Sequence, residues 1–373
     1  MESTKKQCGA IAMMALLLLT LASLTAPLAA KGKTETKPQP QVLGTKGPNG
    51  NDPVSYTEVT LSDSRKKEAQ AQKLKVAVLM HTSSDFTNSV IAGVQDTVKA
   101  LDGEVVLVSD AEFDANKQKS DIENALVLGP DIIITLILDG VSGAAALRPA
   151  IDAGVKIALL SNLPQGFSHG KDYASIVTDD LFGMGKAIAE LMNEQLGGKG
   201  KVGLMFHDAN YYVTNQRDNA VRSVLERDYP NIEIAASQGI ANPDDGETIA
   251  AAMLTQHPDL EAIYAPWDSI AEGVLAAARS AGRKDLKVFT MDLGATTVLD
   301  MAKGGNMAGV VADLPYELGV TLTNTAVLSK LGEKTPPFVT VPAIKVTREN
   351  LEQGWKESLH RDLPPEVQAA MTK

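Results

Sequence analysis

The chain has 373 residues, 44% of them hydrophobic, and its 46 acidic and 35 basic side chains give a formal net charge of -11 at pH 7. An acidic chain of this kind is a poor partner for nucleic acid or for an anionic membrane, and its length and hydrophobic content allow two globular cores. The only cysteine is Cys8, which excludes an intramolecular disulfide and a site built from several thiolates.

The first 30 residues have the pattern of an export signal. Lys5 and Lys6 precede an almost unbroken apolar run over residues 11–27, and Leu28-Ala29-Ala30 offers small residues that suit a cleavage site. The run is short for a helix that spans a bilayer. We therefore predict that residues 1–30 are a signal peptide and that the mature protein is periplasmic. An uncleaved membrane anchor is the alternative.

Residues 31–73 are predicted to be a flexible linker. The stretch 31–53 is rich in Lys, Pro, Gly, Thr and Asn and has few large apolar residues. The stretch 62–73 is polar and charged, and it allows a short helix. No chemistry is assigned to this segment.

From Lys75 onward, short apolar runs alternate with stretches of helical spacing, in two successive blocks. One such stretch has a ridge at Phe86, Val90, Val94 and Val98, which fits one face of a helix. This alternation is typical of parallel βα units. The predicted strands are 75–81, 104–110, 131–136, 156–161 and 175–178, then 201–206, 233–238, 261–266, 287–292 and 307–313. The sequence therefore predicts an α/β fold with two doubly wound parallel-sheet lobes.

Polar and aromatic side chains follow most of these strands. In open parallel sheets, ligands bind at the carboxyl ends of the strands. Carboxylates accept hydrogen bonds from hydroxyls and amines, and aromatic faces cover C–H surfaces, so the pattern indicates a polyhydroxylated or amine-bearing small molecule. The candidate ligand-binding residues at the strand ends are Ser84, Asp85, Phe86, Asn162, Asp180, Asn242, Trp267, Asp268, Asp292 and Asp313.

Several of these candidates also have a structural interpretation. Asp85, Asp180 and Asp268 each stand where a helix is predicted to begin, and aspartate is among the preferred N-caps. Trp267 is also suited to fill the core. Asp292 and Asp313 are the better candidates, because each follows an apolar strand and precedes no obvious cap position.

Arg217 is the one basic candidate. The helix that follows the loop at His207 is predicted to start near Thr214, which puts Arg217 in its first turn, where the helix dipole disfavours a cation. Two interpretations are open. Either the guanidinium fork points between the lobes and grips two oxygens, or it is a solvated side chain paired with a nearby acid.

Residues 74–347 resemble the ribose- and galactose-type periplasmic binding proteins of sugar ABC transporters. The stretches that carry the resemblance include 75–93, 130–134, 175–185, 197–202, 216–220, 262–273, 278–292 and 308–319. The resemblance implies two lobes that close on a ligand by hinge motion, with crossovers near Thr178, Asp313 and Val341. It divides the chain into an N-terminal lobe, 74–178 plus 314–341, and a C-terminal lobe, 179–313 plus 342–373.

The ligand contacts of that family carry over unevenly. The resemblance implies a clamp role for Arg217 and ligand contacts for Asp292 and for the loop at 84–86. Three positions depart from the ribose pattern: an Asp-Arg pair becomes Ser161-Asn162, an Asn-Asp pair becomes Trp267-Asp268, and the hinge glutamine becomes Asp313. One arginine is lost and one acid is gained, which favours a different sugar or polyol, or a ligand with an amine.

The sequence offers little support for catalysis. The string at 198–203 matches a dinucleotide-binding pattern but precedes a strand instead of following one. The histidines lack paired metal-ligand spacing, and no nucleophile elbow is found. We predict a protein that is not an enzyme and has no cofactor. In a metal-binding variant, an oxygen cage would be formed by Asp85, Asp180, Asp268, Asp292 and Asp313, and Arg217 beside it disfavours a cation.

The expected function is an exported receptor that captures a sugar or polyol between two lobes and delivers it to an ABC-transporter permease, acting as a monomer. One alternative is a periplasmic sensor that presents a bound signal to a membrane receptor. Another is a receptor for an amine-bearing or metal ligand. A cytosolic regulator with the same fold is disfavoured, because a signal segment stands where its helix-turn-helix would be.

Overall fold

The computed structural model describes residues 44–372. The predicted signal peptide, residues 1–30, and the first part of the predicted linker lie outside the described residues, as does Lys373. Between residues 44 and 372, no helix combines the length and the apolar character that a membrane crossing needs.

Strands and helices alternate along most of the described chain. The strands are β1 (Val54–Ser55), β2 (Lys75–Met80), β3 (Glu104–Asp110), β4 (Ile132–Thr135), β5 (Lys156–Leu160), β6 (Ile176–Asp179), β7 (Gly200–His207), β8 (Ile232–Ile240), β9 (Ala262–Ala265), β10 (Lys287–Met291), β11 (Met307–Ala312), β12 (Phe338–Val341) and β13 (Ile344–Val346). The helices are α1 (Asp63–Gln72), α2 (Asp85–Ala100), α3 (Ala115–Val127), α4 (Gly140–Asp152), α5 (Leu181–Gln195), α6 (Tyr212–Asp228), α7 (Gly246–Gln256), α8 (Asp268–Ser280), α9 (Ala295–Ala302), α10 (Pro315–Lys330), α11 (Leu351–Leu359) and α12 (Pro365–Met371).

Two separate sheets form the two lobes. The first has the strand order β1-β12-β6-β5-β4-β2-β3, and its neighbouring strands are parallel. The second has the order β13-β11-β10-β9-β7-β8. The predicted fold class is confirmed, with one correction: the edge strand β13 is antiparallel to β11. The chain enters β13 directly from β12 of the other sheet.

The inner strands are buried on both faces. Ile132, Ile133 and Ile134 of β4 are all fully buried, and a continuous apolar run of this kind is typical of a parallel strand covered by helices on both sides. Two of the covering helices, α2 and α10, meet backbone to backbone. A side chain on Gly93 or on Gly319 would collide with a carbonyl of the facing helix, so only glycine permits this approach.

The chain passes between the lobes at three places. It leaves the first sheet after β6, returns after β11 and leaves again between β12 and β13. The crossovers lie at the positions expected near Thr178, Asp313 and Val341. The C-terminal helices belong to the second lobe, where Trp355 and Leu359 of α11 share a core with Val346 of β13.

The segment before β2 is not a flexible tether within the described residues. Its strand β1 pairs with β12 at the edge of the first sheet, and Asn324 of α10 donates a hydrogen bond to the Val59 carbonyl over 3.2 Å. Composition misled the prediction because Val59, Leu61 and Ala69, although few, are all buried in the first-lobe core. Part of the predicted linker, residues 44–73, therefore belongs to the folded protein.

The same segment also touches the second lobe. The Thr45 hydroxyl accepts a hydrogen bond from the Phe182 amide at the start of α5, over 2.8 Å, and it bonds the Asp180 carboxylate. The Tyr212 hydroxyl of α6 donates to the Lys46 carbonyl. We call residues 44–72 the N-terminal strap, because they run from one lobe to the other.

Candidate functional site

The strand ends of the second lobe bring Arg217 and Asp292 together. Arg217 Nη1 donates to Asp292 Oδ1 over 2.8 Å, and Nη2 donates to the Pro266 carbonyl over 3.2 Å. The predicted position of Arg217 in the first turn is wrong: α6 begins at Tyr212, so Arg217 lies in the second turn. It is 4% exposed, which excludes the solvated alternative.

The pair is held in place by backbone conformation and by charge. Asp292 has a φ of 65°, a region that residues other than glycine rarely adopt and that costs about 1–3 kcal/mol. Burial by itself lowers the pKa of the Arg217 guanidinium, but Asp292 together with Tyr264, Asp218 and Asp179 outweighs this and holds the pKa above its ordinary value. The Nε of Arg217 is buried and has no hydrogen-bond partner within the described residues.

A second layer of side chains supports this pair. The buried Asp218 accepts hydrogen bonds from the His207 amide and from the Tyr264 hydroxyl, each over 2.8 Å. Burial raises the pKa of Asp218 to about 6, although both hydrogen bonds oppose the shift. These contacts fix the end of β7 and the start of α6 relative to β9, and so they fix where Arg217 stands.

Three rings line the second lobe beside the pair. His207 meets Trp267 edge-on, with ring centroids 5.1 Å apart, and meets Tyr211 edge-on at 5.5 Å. Burial and the nearby Arg217 lower the pKa of His207, which favours the neutral ring. Trp267 is half-buried and packs partly on the core of the second lobe. It therefore contacts the core and keeps part of its surface exposed.

Two buried acids stand at the crossovers. Asp179 ends β6 and is 2% exposed, and Asp313 follows β11 and is 1% exposed. Both oxygens of Asp313, and Oδ1 of Asp179, have no hydrogen-bond partner within residues 44–372. Burial raises the pKa of Asp179 to about 7. Burial, Asp292 and Asp179 raise the pKa of Asp313 well above its ordinary value.

Asp268 is a further acid with a raised pKa. It is the first residue of α8, and burial followed by the neighbouring Asp292 raises its pKa to about 7. It does not act as the N-cap of α8, because that position is Trp267, which makes no side-chain cap bond. Its carboxyl group lies against Gly294, where any side chain would collide with it.

The first lobe contributes residues from α2. Asp85 accepts a hydrogen bond from the Ala295 amide of the second lobe over 2.9 Å and pairs with Arg361. Ser84 is the N-cap of α2 and forms a capping box with Thr87. The structure therefore assigns capping to Ser84 and a contact between the lobes to Asp85.

Asn162, Phe86 and Tyr211 meet at the first lobe. Phe86 and Tyr211 both pack on the first-lobe core, although Tyr211 belongs to the second lobe. Asn162 donates to the Ile137 carbonyl over 3.0 Å, whereas its Oδ1 and the Tyr211 hydroxyl are buried without partners among the described residues. Burial raises the pKa of Tyr211, and the nearby Asn162 side chain opposes this.

Two predicted site residues are used elsewhere. Asp180 caps α5, accepting from the Gly183 amide over 3.1 Å, and it also bonds Thr45. Asn242 is exposed and accepts from the Asp244 amide over 3.1 Å at the start of a 3-10 helix. Each side chain accepts a hydrogen bond from a backbone amide at the start of the helix that follows its strand. For Asp180 this is the capping role that the sequence offered as the alternative to ligand binding.

The structure brings four further residues to this region: Asp179, His207, Tyr211 and Arg361. Asp179 was passed over in favour of its neighbour Asp180, because the strand was predicted to end one residue early. His207 and Tyr211 come from the loop and helix start after β7, where the adjacent tyrosines gave no indication of which one faces the first lobe. Arg361 had no signal, since it lies in the loop between α11 and α12.

No group of three or more His, Cys, Asp or Glu side chains between residues 44 and 372 is arranged to hold a metal ion. The carboxylates proposed for an oxygen cage have other partners: Asp180 caps helix α5, and Asp85 forms an ion pair with Arg361. The arrangement is that of a two-lobed α/β binding protein. Polar and aromatic side chains from both lobes and from the crossovers converge in it.

The chain belongs to the periplasmic binding protein domain family, whose model matches residues 76–334. It is 25% identical over 282 residues to a ribose import binding protein of Bacillus subtilis strain 168, covering 75% of this chain and 88% of that protein. It is 26% identical over 275 residues to a D-ribose/D-allose-binding protein of Pseudomonas aeruginosa, covering 71% and 84%. The resemblance to sugar-binding proteins of this family is confirmed.

Solved structures agree on the fold. A solute binding protein of an ABC transporter from Mycobacterium smegmatis, with bound glycerol, superposes with a TM-score of 0.64 at 26% identity, covering 74% of this chain and 95% of that one. A solute binding protein from Agrobacterium vitis, bound with alpha-D-tagatopyranose, has a TM-score of 0.68 at 19% identity, covering 75% and 96%. These relatives are binding proteins. The N-terminal strap lies before the family match.

Proposed function

We propose that this protein is an exported receptor that captures a small polyhydroxylated ligand, a sugar or polyol, between its lobes and delivers it to an ABC-transporter permease. One observation carries the proposal. Arg217 and Asp292 of one lobe, Asp85 and Asn162 of the other, and the crossover acid Asp313 converge on the region between the lobes. Relatives with this fold include proteins for ribose, for allose and with bound glycerol.

The chemistry of the converging groups suits hydroxyl-rich ligands. Carboxylates accept hydrogen bonds from hydroxyls, and Arg217 Nε keeps a donor that no described residue uses. The rings of Trp267, His207 and Tyr211 offer surfaces for the C–H face of a sugar ring. The buried surroundings strengthen each of these hydrogen bonds, because water does not compete there.

Capture depends on contacts that exist only when the lobes are together. Asp85 binds Ala295 across the lobes, and Ser89 donates to the Leu359 carbonyl over 3.2 Å. A ligand that bridges the lobes adds to these contacts and shifts the population toward the closed arrangement. The closed shape is the form that a permease would recognise.

The N-terminal residues 1–30 supply the export signal in this proposal, and the mature protein acts as a periplasmic monomer without catalysis. The chemistry required of it is reversible binding, and the family relatives described above are binding proteins. Mass spectrometry of the exported protein would locate the cleavage site, and analytical ultracentrifugation would give its oligomeric state.

A thermal-shift screen of the mature protein against sugars and polyols tests the proposal. A true ligand at 100 times its dissociation constant adds about 2.7 kcal/mol of stability. The Asp292→Ala variant should lose the shift, and Asp131→Asn, which changes an acid at the opposite end of the first sheet, should retain it. Failure of every sugar and polyol to shift the unfolding midpoint would contradict the proposal.

Transport and sensing are separated by a second experiment. Vesicles containing the candidate permease should take up the labelled ligand only when the loaded receptor is present. Binding without any receptor-dependent uptake would favour a sensor that presents its ligand to a membrane receptor instead.

A further inference from the structure

The two acids at the crossovers, Asp179 and Asp313, indicate the charge of the ligand. Among the described residues, Arg217 is paired with Asp292 and Arg361 with Asp85. Asp179, Asp268 and Asp313 lie close to these pairs, and none of the three forms an ion pair with a basic side chain within residues 44–372. The region between the lobes therefore has more carboxyl groups than basic partners.

Asp313 and Asp179 differ from an ordinary acidic surface cluster because they are buried. Asp313 is 1% exposed, and neither of its oxygens has a hydrogen-bond partner within residues 44–372. Its backbone is held, since Ser358 donates to its carbonyl over 2.7 Å. A buried carboxyl without a partner costs free energy in the ligand-free protein, and a structure tolerates this cost where a ligand supplies the partner.

Resting on the proposed function, we infer that the ligand is a polyhydroxylated amine, and that its protonated nitrogen binds the carboxyl groups of Asp313 and Asp179 at the crossovers. Its hydroxyl groups bind the remaining acids and Arg217. An ammonium group has only donors, so it satisfies the three unpartnered carboxyl oxygens that the two acids present.

The charged groups that face the two acids support this assignment. Asp292 and Arg217 come from the second lobe, and Asp180 follows Asp179 along the chain. Arg217 is already paired with Asp292, so it does not serve as an ion-pair partner for the two crossover acids. In the ligand-free protein, the raised pKa values of both acids allow them to hold protons. An arriving ammonium group displaces such a proton.

Matched ligand pairs test the inference directly. The probes are myo-inositol, glucose, galactose and allose, each compared with the analogue in which one hydroxyl is replaced by an amine. We expect at least one amine to bind at least about thirtyfold more tightly than its neutral partner, which corresponds to about 2 kcal/mol. Neutral members that bind as tightly as their amines would overturn the inference and leave the proposed function standing. Failure of both members of every pair would overturn the proposed function and the inference with it.

Two variants locate the amine. Asp313→Asn keeps the shape of the side chain and removes its charge, so it should lower the affinity for the amine at least about thirtyfold and change that for the neutral analogue much less. The matched control is Asp131→Asn, which removes one acid from the amino end of β4, where it pairs with Lys330 over 2.8 Å. Equal losses for amine and neutral ligand in Asp313→Asn would contradict the inference.

A calorimetric measurement on the unaltered protein covers the case in which Asp313→Asn does not fold. The binding enthalpy of the amine is measured near pH 6.5 in two buffers of different ionisation enthalpy. The inference predicts release of up to one proton per amine bound, because the crossover acids deprotonate around the ammonium group. No proton release would overturn it. Equal stabilisation by Ca²⁺ or Mg²⁺, abolished by a chelator, would overturn it in favour of a metal ligand.

Discussion

The Asp85 carboxylate of the first lobe accepts a hydrogen bond from the Ala295 amide of the second lobe over 2.9 Å. Ala295 is the first residue of α9, so the acid lies at the positive end of a helix dipole. The same carboxylate pairs with Arg361. A single side chain therefore connects α2 to two elements of the opposite lobe, and it does so beside the proposed ligand region.

Replacing Asp85 by alanine should favour separation of the lobes. We expect a larger radius of gyration in solution scattering and a roughly fivefold loss of ligand affinity, about 1 kcal/mol, because a closed-state hydrogen bond is lost. Asp102→Ala is a suitable control, since Asp102 pairs with Lys73 within the first lobe at 3.3 Å. Scattering and affinity that are unchanged in Asp85→Ala would show that this contact does not hold the lobes together.

The Arg217–Asp292 pair should matter for folding as well as for binding. Asp292→Ala leaves a guanidinium buried without its acid, and removal of one partner of a buried pair costs about 3 kcal/mol. Urea unfolding measures this loss, and calorimetry should show ligand affinity reduced by about 2–5 kcal/mol. Asp259→Ala removes a comparable but exposed pair with Lys201, and we expect no measurable change there. Similar behaviour of the two variants would contradict the assigned role.

Tyr211→Phe should affect stability and binding in opposite directions. Its hydroxyl is buried without a partner among the described residues, so removing that oxygen should raise the free energy of unfolding by about 1 kcal/mol. If the ligand supplies the missing partner, affinity should fall about fivefold. Chemical denaturation and calorimetry on the same sample test both effects. A variant that is less stable and binds normally would place the tyrosine outside the site.

Asp268 makes stability depend on pH. Its folded pKa of about 7 exceeds that of the unfolded chain, so the native state holds the proton longer and stability falls as pH rises from about 4 to 7. Asp179, Asp218 and Asp313 also have raised pKa values and add to this fall. Asp268→Asn should remove the share due to Asp268, and we expect it to reduce the drop in unfolding midpoint by about 3 °C or more.

One histidine acts in the opposite direction over part of the same range. Burial lowers the pKa of His81 to about 4, so its contribution to stability rises with pH up to about 6.5. His81 is present in both the original protein and Asp268→Asn, so its effect cancels in the difference between their unfolding midpoints. Parallel pH profiles for the original protein and Asp268→Asn would show that the Asp268 proton is not linked to folding.

The architecture was largely predictable because strand and helix periods are local properties. Burial follows directly from two local patterns, the apolar run Ile132–Thr135 and the ridge at Val90, Val94 and Val98. The strap could not be predicted in this way. Its two-residue strand β1 is stabilised by pairing with β12, almost the whole chain away, and its polar composition resembles a linker.

The site was predictable only in part. Residue type and position at strand ends indicated Asp292 and Asp313, because parallel sheets gather ligands there. Arg217 was indicated by its place near the start of a helix and by the family resemblance. The choice between Asp179 and Asp180 depended on one residue of strand length. Asp85 and Arg361 meet only through packing of the two lobes, which no local pattern records.

Thr45 should contribute to stability despite its place near the start of the described chain. Its hydroxyl satisfies the Phe182 amide at the first turn of α5, and loss of such a group costs about 1 kcal/mol. Thermal and urea unfolding of Thr45→Ala measure this loss. Thr57→Ala is the control, because the Thr57 hydroxyl bonds the exposed Ser55 hydroxyl beside it at 2.9 Å. Equal stability of Thr45→Ala and the original protein would mean that the strap does not hold the second lobe.

The strap also bears on how the protein can be produced and labelled. A recombinant version trimmed to the family boundary at residue 76 would lose β1 and uncover the edge of β12, where free backbone groups invite strand pairing between molecules. Such a shortened protein should aggregate more readily during purification. A reporter dye or an affinity tag is therefore better placed beyond α12, where it leaves this edge covered.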